Sequence, residues 1–211
     1  TGTSYTFTGL PENTWVYYRV RARDSLLQES APSGVVWSWQ DNTAPSVPVI
    51  TAEPQYTAGN TNAVSWAASS DGAGSWGLEY LVEADMDAAF ASPDFRSDWT
   101  AGTSWTFSSL VGGATYYYRV RARDQVGWES SWSSTTSSTQ DASPPPVPTM
   151  DEEPAYTART SNAVSWGAVV DGGVGGVEYR VEASTSPSFP SIFAQSPWQT
   201  GTSYTFTGLT D

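Results

Sequence analysis

The nine residues "YYYRVRARD", Tyr116–Asp124, decide the reading of the chain. They alternate strictly. Tyr116, Tyr118, Val120 and Ala122 fall on one side, and Tyr117, Arg119, Arg121 and Arg123 on the other. A period of two is the mark of a β-strand with one apolar and one polar face. Eight of these residues, "YYRVRARD", also stand at Tyr17–Asp24, a shift of 100. "NAVSW" repeats with the same shift at Asn62–Trp66 and Asn162–Trp166. "EYLVEAD" from Glu79 returns as "EYRVEAS" from Glu178, a shift of 99. The missing residue falls in a glycine-rich loop, "DGAGSWGLEY" against "DGGVGGVEY", where a deletion costs little. "TGTSYTFTGL" occupies both Thr1–Leu10 and Thr200–Leu209, with "AGTSWTFSSL" between them at Ala101–Leu110.

The repeating unit is therefore about 100 residues, the size of one ordinary domain. Its phase divides the chain into the later part of a unit over 1–42, a complete unit over 43–142, and the earlier part of a third over 143–211. Pro-rich stretches, "DNTAPSVP" at Asp41–Pro48 and "DASPPPVP" at Asp141–Pro148, join them and read as short, stiff linkers. No stretch has a helical period. Seven strands are expected in the complete unit, over 47–53, 60–67, 77–85, 95–99, 103–109, 115–123 and 130–139. Seven short strands in such a length favour an all-β, two-sheet sandwich.

Several positions carry a family resemblance. Trp66 and Trp166 in the second strand, and Tyr80 and Tyr179 in the third, resemble core positions of fibronectin type III domains. So does Leu110, six residues before Tyr116. "STSPSF" at Ser184–Phe189 is similar to a stretch common in bacterial members. The resemblance covers the whole chain as one complete and two partial repeats. It implies tandem seven-stranded, immunoglobulin-like Greek-key sandwiches, with Tyr116 as the tyrosine corner bonded to nearby backbone. Val16 holds that position in the first copy, so the corner bond is not expected there. Trp66, Trp166, Tyr80, Tyr179 and Tyr116 are expected in cores.

The chain carries 22 acidic residues against 9 basic ones, a net charge of -13, and every base is arginine. An acidic balance argues against nucleic-acid binding. Cys and His are absent, which removes thiolate metal sites, disulfides and the common nucleophile–base pairs. No apolar run approaches the ~20 residues of a membrane span. No signal peptide is visible; if the protein is exported, the signal lies outside this chain or was removed. The nearest carboxylate pair, Glu79 and Glu83, shares one strand face and is expected to face water. No enzyme activity is expected.

The arginine rows Arg19, Arg21, Arg23 and Arg119, Arg121, Arg123 are the features with most potential chemistry. "GWESSWSS" follows the second row and supplies Trp128 and Trp132. The pair resembles, one residue too long, the Trp-Ser-x-Trp-Ser ladder of cytokine-receptor type III domains, in which guanidinium planes interleave with indoles. It reads as a structural ladder or domain interface, or else as a ligand-binding stripe. Trp15, Trp37, Trp39, Trp76, Trp99, Trp128, Trp132 and Trp198 exceed what one core holds, so a glycan partner stays open. Trp99 and Trp198 occupy equivalent places, as a recurring structural contact would.

Among the acids, Asp71 and Asp171 sit in the glycine-rich loop, Asp41 and Asp141 near the domain junctions, and Asp151–Glu153 form a short run. No cofactor is expected, with one exception: calcium on the junction carboxylates, although no D-x-D-x-D-G loop is present. Solvated surface charge is the competing reading. The partners expected are adjacent repeats or further copies of the chain. A partial sandwich needs more strands, so the chain is either a window on a longer array or a subunit whose tail completes the next subunit's head. The function expected is that of a structural segment of an extracellular fibre, filament or cell-surface stalk. The alternative is a binding module, either an adhesin or a carbohydrate-binding accessory of a secreted enzyme.

Overall fold

A computed structural model describes residues 2–72, 77–157, 160–172 and 175–209. The described residues contain fourteen strands and no α-helix. Among the described residues, no helix is long and apolar enough to cross a membrane. In chain order the strands are β1 (Thr14–Tyr18), β2 (Val36–Gln40), β3 (Val49–Ile50), β4 (Tyr56–Ala58), β5 (Asn62–Ala67), β6 (Glu79–Asp85) and β7 (Phe95–Arg96). There follow β8 (Ser104–Phe107), β9 (Thr115–Arg123), β10 (Thr136–Asp141), β11 (Ser161–Ser165), β12 (Glu182–Ala183), β13 (Ala194–Gln195) and β14 (Ser203–Thr207).

The middle of the chain forms a three-stranded sheet, β3-β5-β8, and a five-stranded sheet, β4-β10-β9-β6-β7. The chain passes from one sheet to the other between β5 and β6, β7 and β8, and β8 and β9, as in an immunoglobulin-like Greek key. The flanking segments pair as β1 with β2, β11 with β14, and β12 with β13, all antiparallel. By contacts the chain groups into two units: 1–53, 63–107 and 117–136 form one, and 54–62, 108–116 and 137–211 form the other.

In the first unit the alternation of β9 becomes burial. Tyr118, Val120 and Ala122 are fully buried, and their alternating neighbours are not. Buried with them in this unit are Val64 and Trp66 of β5, Phe107 of β8, and Tyr80, Val82 and Ala84 of β6. Among the ring pairs that bridge the sheets are Trp66 with Tyr80 at 5.5 Å, Phe107 with Tyr118 at 5.7 Å and Phe95 with Phe107 at 6.3 Å. The Tyr80 hydroxyl accepts the Ser69 backbone N–H at 2.9 Å, so the ring is buried without stranding its polar end. In the second unit Val164, Trp166, Tyr179, Val181 and Phe206 form a corresponding core. There the Tyr179 hydroxyl accepts the Val169 N–H at 2.9 Å.

Tyr116 also lies in the second unit. Its ring is buried and its hydroxyl accepts the Val111 N–H at 3.2 Å, which is the geometry of a tyrosine corner. Tyr116→Phe is expected to keep the ring packed and cost about 1 kcal/mol, read as earlier urea unfolding of the 54–142 strands by hydrogen exchange.

Three strands depart from the sequence expectation, each for a local reason. The strand expected over 47–53 is shortened to Val49–Ile50, antiparallel to β5, and an unexpected strand, Tyr56–Ala58, follows it and runs parallel to β10. Pro54, which has no N–H to donate, stands between the two strands. The strands expected over 95–99 and 130–139 are observed as 95–96 and 136–141. Here the chain follows β6 and β9 with a period of three instead of two. Ser130 and Ser133 each bond twice to β9: their N–H groups donate to the carbonyls of Ala122 and Val120 at 2.9 and 2.8 Å. Their hydroxyls accept the Ala122 and Val120 N–H groups at 2.9 and 3.1 Å. Three residues of this border segment match two of the strand, the period of polyproline II.

On β6 the pattern recurs. Ser97 bonds to Val82 through N–H and hydroxyl, both at 2.9 Å, and Thr100 exchanges two backbone bonds with Tyr80. Ser30 with Ala22, Ser33 with Val20, and Ser196 with Val181 repeat it in the flanking copies.

Candidate functional site

The period-three borders explain the outer face of the sheet. If Ser130 and Ser133 point inward, Glu129 and Trp132 point outward, over β9. If Ser97 and Thr100 turn inward, Arg96 and Trp99 turn outward from the opposite border. The outward side chains then stack in order. The Arg119 guanidinium lies 4.2 Å from the Phe90 ring and 4.2 Å from Trp132. Arg121 lies 4.7 Å from Trp132 and 5.6 Å from Trp99, and Arg123 lies 4.2 Å from Trp99. The column runs Phe90, Arg119, Trp132, Arg121, Trp99, Arg123, with every distance inside the cation–π range.

Carboxylates lock the column from beneath. Glu83 Oε2 accepts from Arg119 Nε at 2.9 Å and Nη2 at 2.7 Å, and its other oxygen pairs with Arg96 at 3.2 Å. Glu79 Oε2 takes the same two bonds from Arg123. Arg121 pairs with Glu129. The sequence expectation that Glu79 and Glu83 face water fails for Glu83, which is 3% exposed. It stands in the face that the arginines and indoles roof over. Two carboxylates each engaged by guanidinium groups are not poised as a hydrolytic acid–base pair.

Trp128 lies outside the column. It is partly exposed, and its indole N–H donates to the Asp41 carbonyl at 3.3 Å. The place given to it by the spacing is filled by Trp99, from the other border of the sheet. Arg19, Arg21 and Arg23 form no such stack among the described residues. All three are exposed, and Arg21 pairs with Glu29 at 3.3 Å. Pro32 and Gln28 stand where the middle copy has Trp132 and Trp128, so no indole reaches that row. Trp37 and Trp39 pack instead edge-on around Trp15, at 4.6 and 5.2 Å. In the third copy Trp198 lies 5.0 Å from Arg180. Trp76 falls outside the described residues.

A second cluster gathers acids. One carboxylate oxygen from each of Asp41, Asp71 and Asp124 lies within 4.8 Å of the other two. Asp41 follows β2, Asp71 follows β5 and Asp124 follows β9. Asp124 closes a turn: its Oδ1 accepts the N–H groups of Val126, Gly127 and Trp128 at 2.7–2.9 Å. Gly127 makes that turn with φ of +99°, a conformation other side chains resist. Burial, then the neighbouring Asp41, Asp124 and Glu12, push the Asp71 carboxyl above its ordinary value. Sequence reasoning named Asp41 and Asp71 but missed Asp124. The signal available was Asp24, its counterpart one period away.

No family model matches the chain. It is 32% identical over 221 residues to exoglucanase B of Cellulomonas fimi, a match covering 98% of this chain and 19% of that protein. It is 29% identical over 196 residues to chitinase A1 of Niallia circulans, covering 90% of this chain and 26% of that one. The chain thus spans between a fifth and about a quarter of the length of these relatives. Among solved structures, the FN1–FN3 domains of chicken CNTN1 align over 95% of this chain and 67% of theirs, at 18% identity and a TM-score of 0.48. The protein FN3tt aligns over 48% of this chain and all of its own length, at 23% identity and a TM-score of 0.36. The three- and five-stranded sheets, the Trp66–Tyr80 core pair and the Tyr116 corner give the chain an all-β fold of immunoglobulin-like sandwiches, the architecture of fibronectin type III domains.

Proposed function

We propose that this chain is a non-catalytic structural segment, a run of sandwiches that spans distance in an extracellular stalk, fibre or multidomain secreted protein. The observation that carries this reading is the closed column on the outer face of β6 and β9. Trp132 and Trp99 have arginines over their rings, and the arginines have Glu83, Glu79 and Glu129 as partners. A stripe able to recruit a ligand is thereby occupied by its own side chains, which stiffens the sheet. The named relatives support the extracellular setting, because glucan and chitin are polymers too large to enter a cell. The matched stretch is a minor share of each relative, as expected for a spacer. Adjacent repeats and further copies of the chain are the partners this role needs.

A carbohydrate-binding reading rests on a different observation. Trp37 is 60% exposed and stands beside Trp15 and Tyr17, which are also exposed, the kind of aromatic platform on which sugar rings stack. Retention on microcrystalline cellulose and on chitin separates the two. The structural reading expects the intact chain in the unbound fraction on both. Saturable retention that Trp37→Ala abolishes would replace it with the binding reading.

A further inference from the structure

The geometry points to a calcium site formed by Asp41, Asp71 and Asp124. Three acids together are not by themselves a site; the second observation is the state of Asp124. This residue is 5% exposed, and its Oδ1 is held by three backbone N–H groups, which fixes the plane of the carboxylate. Its Oδ2 is buried and has no hydrogen-bond partner. Among the described residues, neither Asp124 nor Asp41 forms an ion pair with an arginine. A buried, unpaired carboxylate oxygen beside two further carboxylates is costly unless a cation sits among them.

The dimensions and the chemistry select calcium. Calcium binds oxygens at roughly 2.3–2.6 Å, so two ligands on opposite sides of the ion lie about 4.6–5.2 Å apart. The three carboxylate oxygens fit inside that span, all lying within 4.8 Å of one another. Magnesium at roughly 2.0–2.1 Å would demand a tighter octahedron. All three ligands are hard carboxylates, which suits calcium and does not suit soft transition metals. Backbone carbonyls and water would complete the usual six to eight ligands.

The pattern is also periodic. Asp24 and Asp124, Asp41 and Asp141, and Asp71 and Asp171 are each separated by 100 residues. Each member of the trio thus stands at a position that the repeat carries a second time in this chain. Asp41 belongs to the segment between β2 and β3, whereas Asp71 and Asp124 sit in turns at the ends of β5 and β9. A bound ion would tie that connecting segment to both turns and hold it straight.

The test uses the full 211-residue chain, freed of metal with a chelator. Terbium, which takes calcium sites and luminesces when excited through a nearby indole, has Trp128 as its antenna. The Trp128 indole nitrogen lies 3.3 Å from the Asp41 carbonyl oxygen. Terbium alone is expected to give saturable sensitised emission that calcium competes away, with a calcium Kd of about 0.1–1 mM, the range of extracellular modules. Asp71→Asn is expected to weaken calcium binding at least tenfold while leaving the far-ultraviolet circular dichroism unchanged. Asp41→Asn is a second test, because Asp41 lies in a linker and its loss leaves the core intact. Absence of sensitised emission, or calcium titrations unchanged in both variants, overturns the site.

Discussion

Trp66→Ala is expected to lower the stability of the central sandwich by about 3–5 kcal/mol, the range for truncating a buried tryptophan. Trp66 is 4% exposed, packs against Tyr80 at 5.5 Å, and belongs to the strand that pairs with both β3 and β8. Removing the indole empties the space between the sheets, which neighbouring backbones cannot close. The comparison that isolates packing is Trp66→Phe. The Trp66 indole N–H is buried without a hydrogen-bond partner, so phenylalanine removes an unsatisfied donor while retaining an aromatic ring. A loss less than half that of alanine is therefore expected for Trp66→Phe, measured by urea unfolding with hydrogen exchange at the β6 and β9 amides. Equal losses for the two variants would show that the indole's shape, not its aromatic bulk, holds the sheets apart.

Glu83→Ala is the second large effect. Glu83 is the partner of both Arg119 and Arg96. Its removal leaves the Arg119 guanidinium, only 20% exposed, without a counter-charge in a partly desolvated stack. Breaking a buried pair from one side costs about 3 kcal/mol, far more than the net worth of an exposed pair. The companion change Glu83→Ala with Arg119→Met removes both charges. It is expected to recover most of the loss, since apolar replacement of a whole buried pair is near neutral. If the double variant is as unstable as the single one, the column is held by ring stacking and not by its carboxylates.

The parts of the fold legible in the sequence are those encoded with a period of two. Tyr118, Val120 and Ala122 on one side of β9, and Trp66 in "NAVSW", announce a buried face because each neighbour is polar. The Tyr116 corner was legible by resemblance, and Val16 in the first copy by contrast with it. What stayed hidden was encoded with other periods or at long range. The segments that border β6 and β9 step in threes and carry serine at the bonding positions, so they read as loop or as an overlong strand. That misreading also assigned Trp128 to the arginine column. Trp99, which fills the place, comes from the opposite border of the sheet. Glu83 looked solvent-facing because alternation separates two faces without saying which is wet, and here the outer face carries its own roof. The acidic trio was half legible. Asp41 and Asp71 stand in linker and loop, while Asp124 looks like a turn-former and is one, through its first oxygen only.

The period-three borders matter for a protein whose neighbouring domains are near copies of one another. A tandem array holds similar sheets at very high local concentration, the condition under which an open strand edge recruits a neighbour's strand and misfolded, amyloid-like stacking begins. Along 97–100 and 129–133 the outermost backbone repeats every third residue, and its inward serines already consume the N–H groups of Val82, Val120 and Ala122. An incoming strand, which needs donors and acceptors every second residue, finds no matching register there. The same serines that end the sheet thus protect each copy from its siblings.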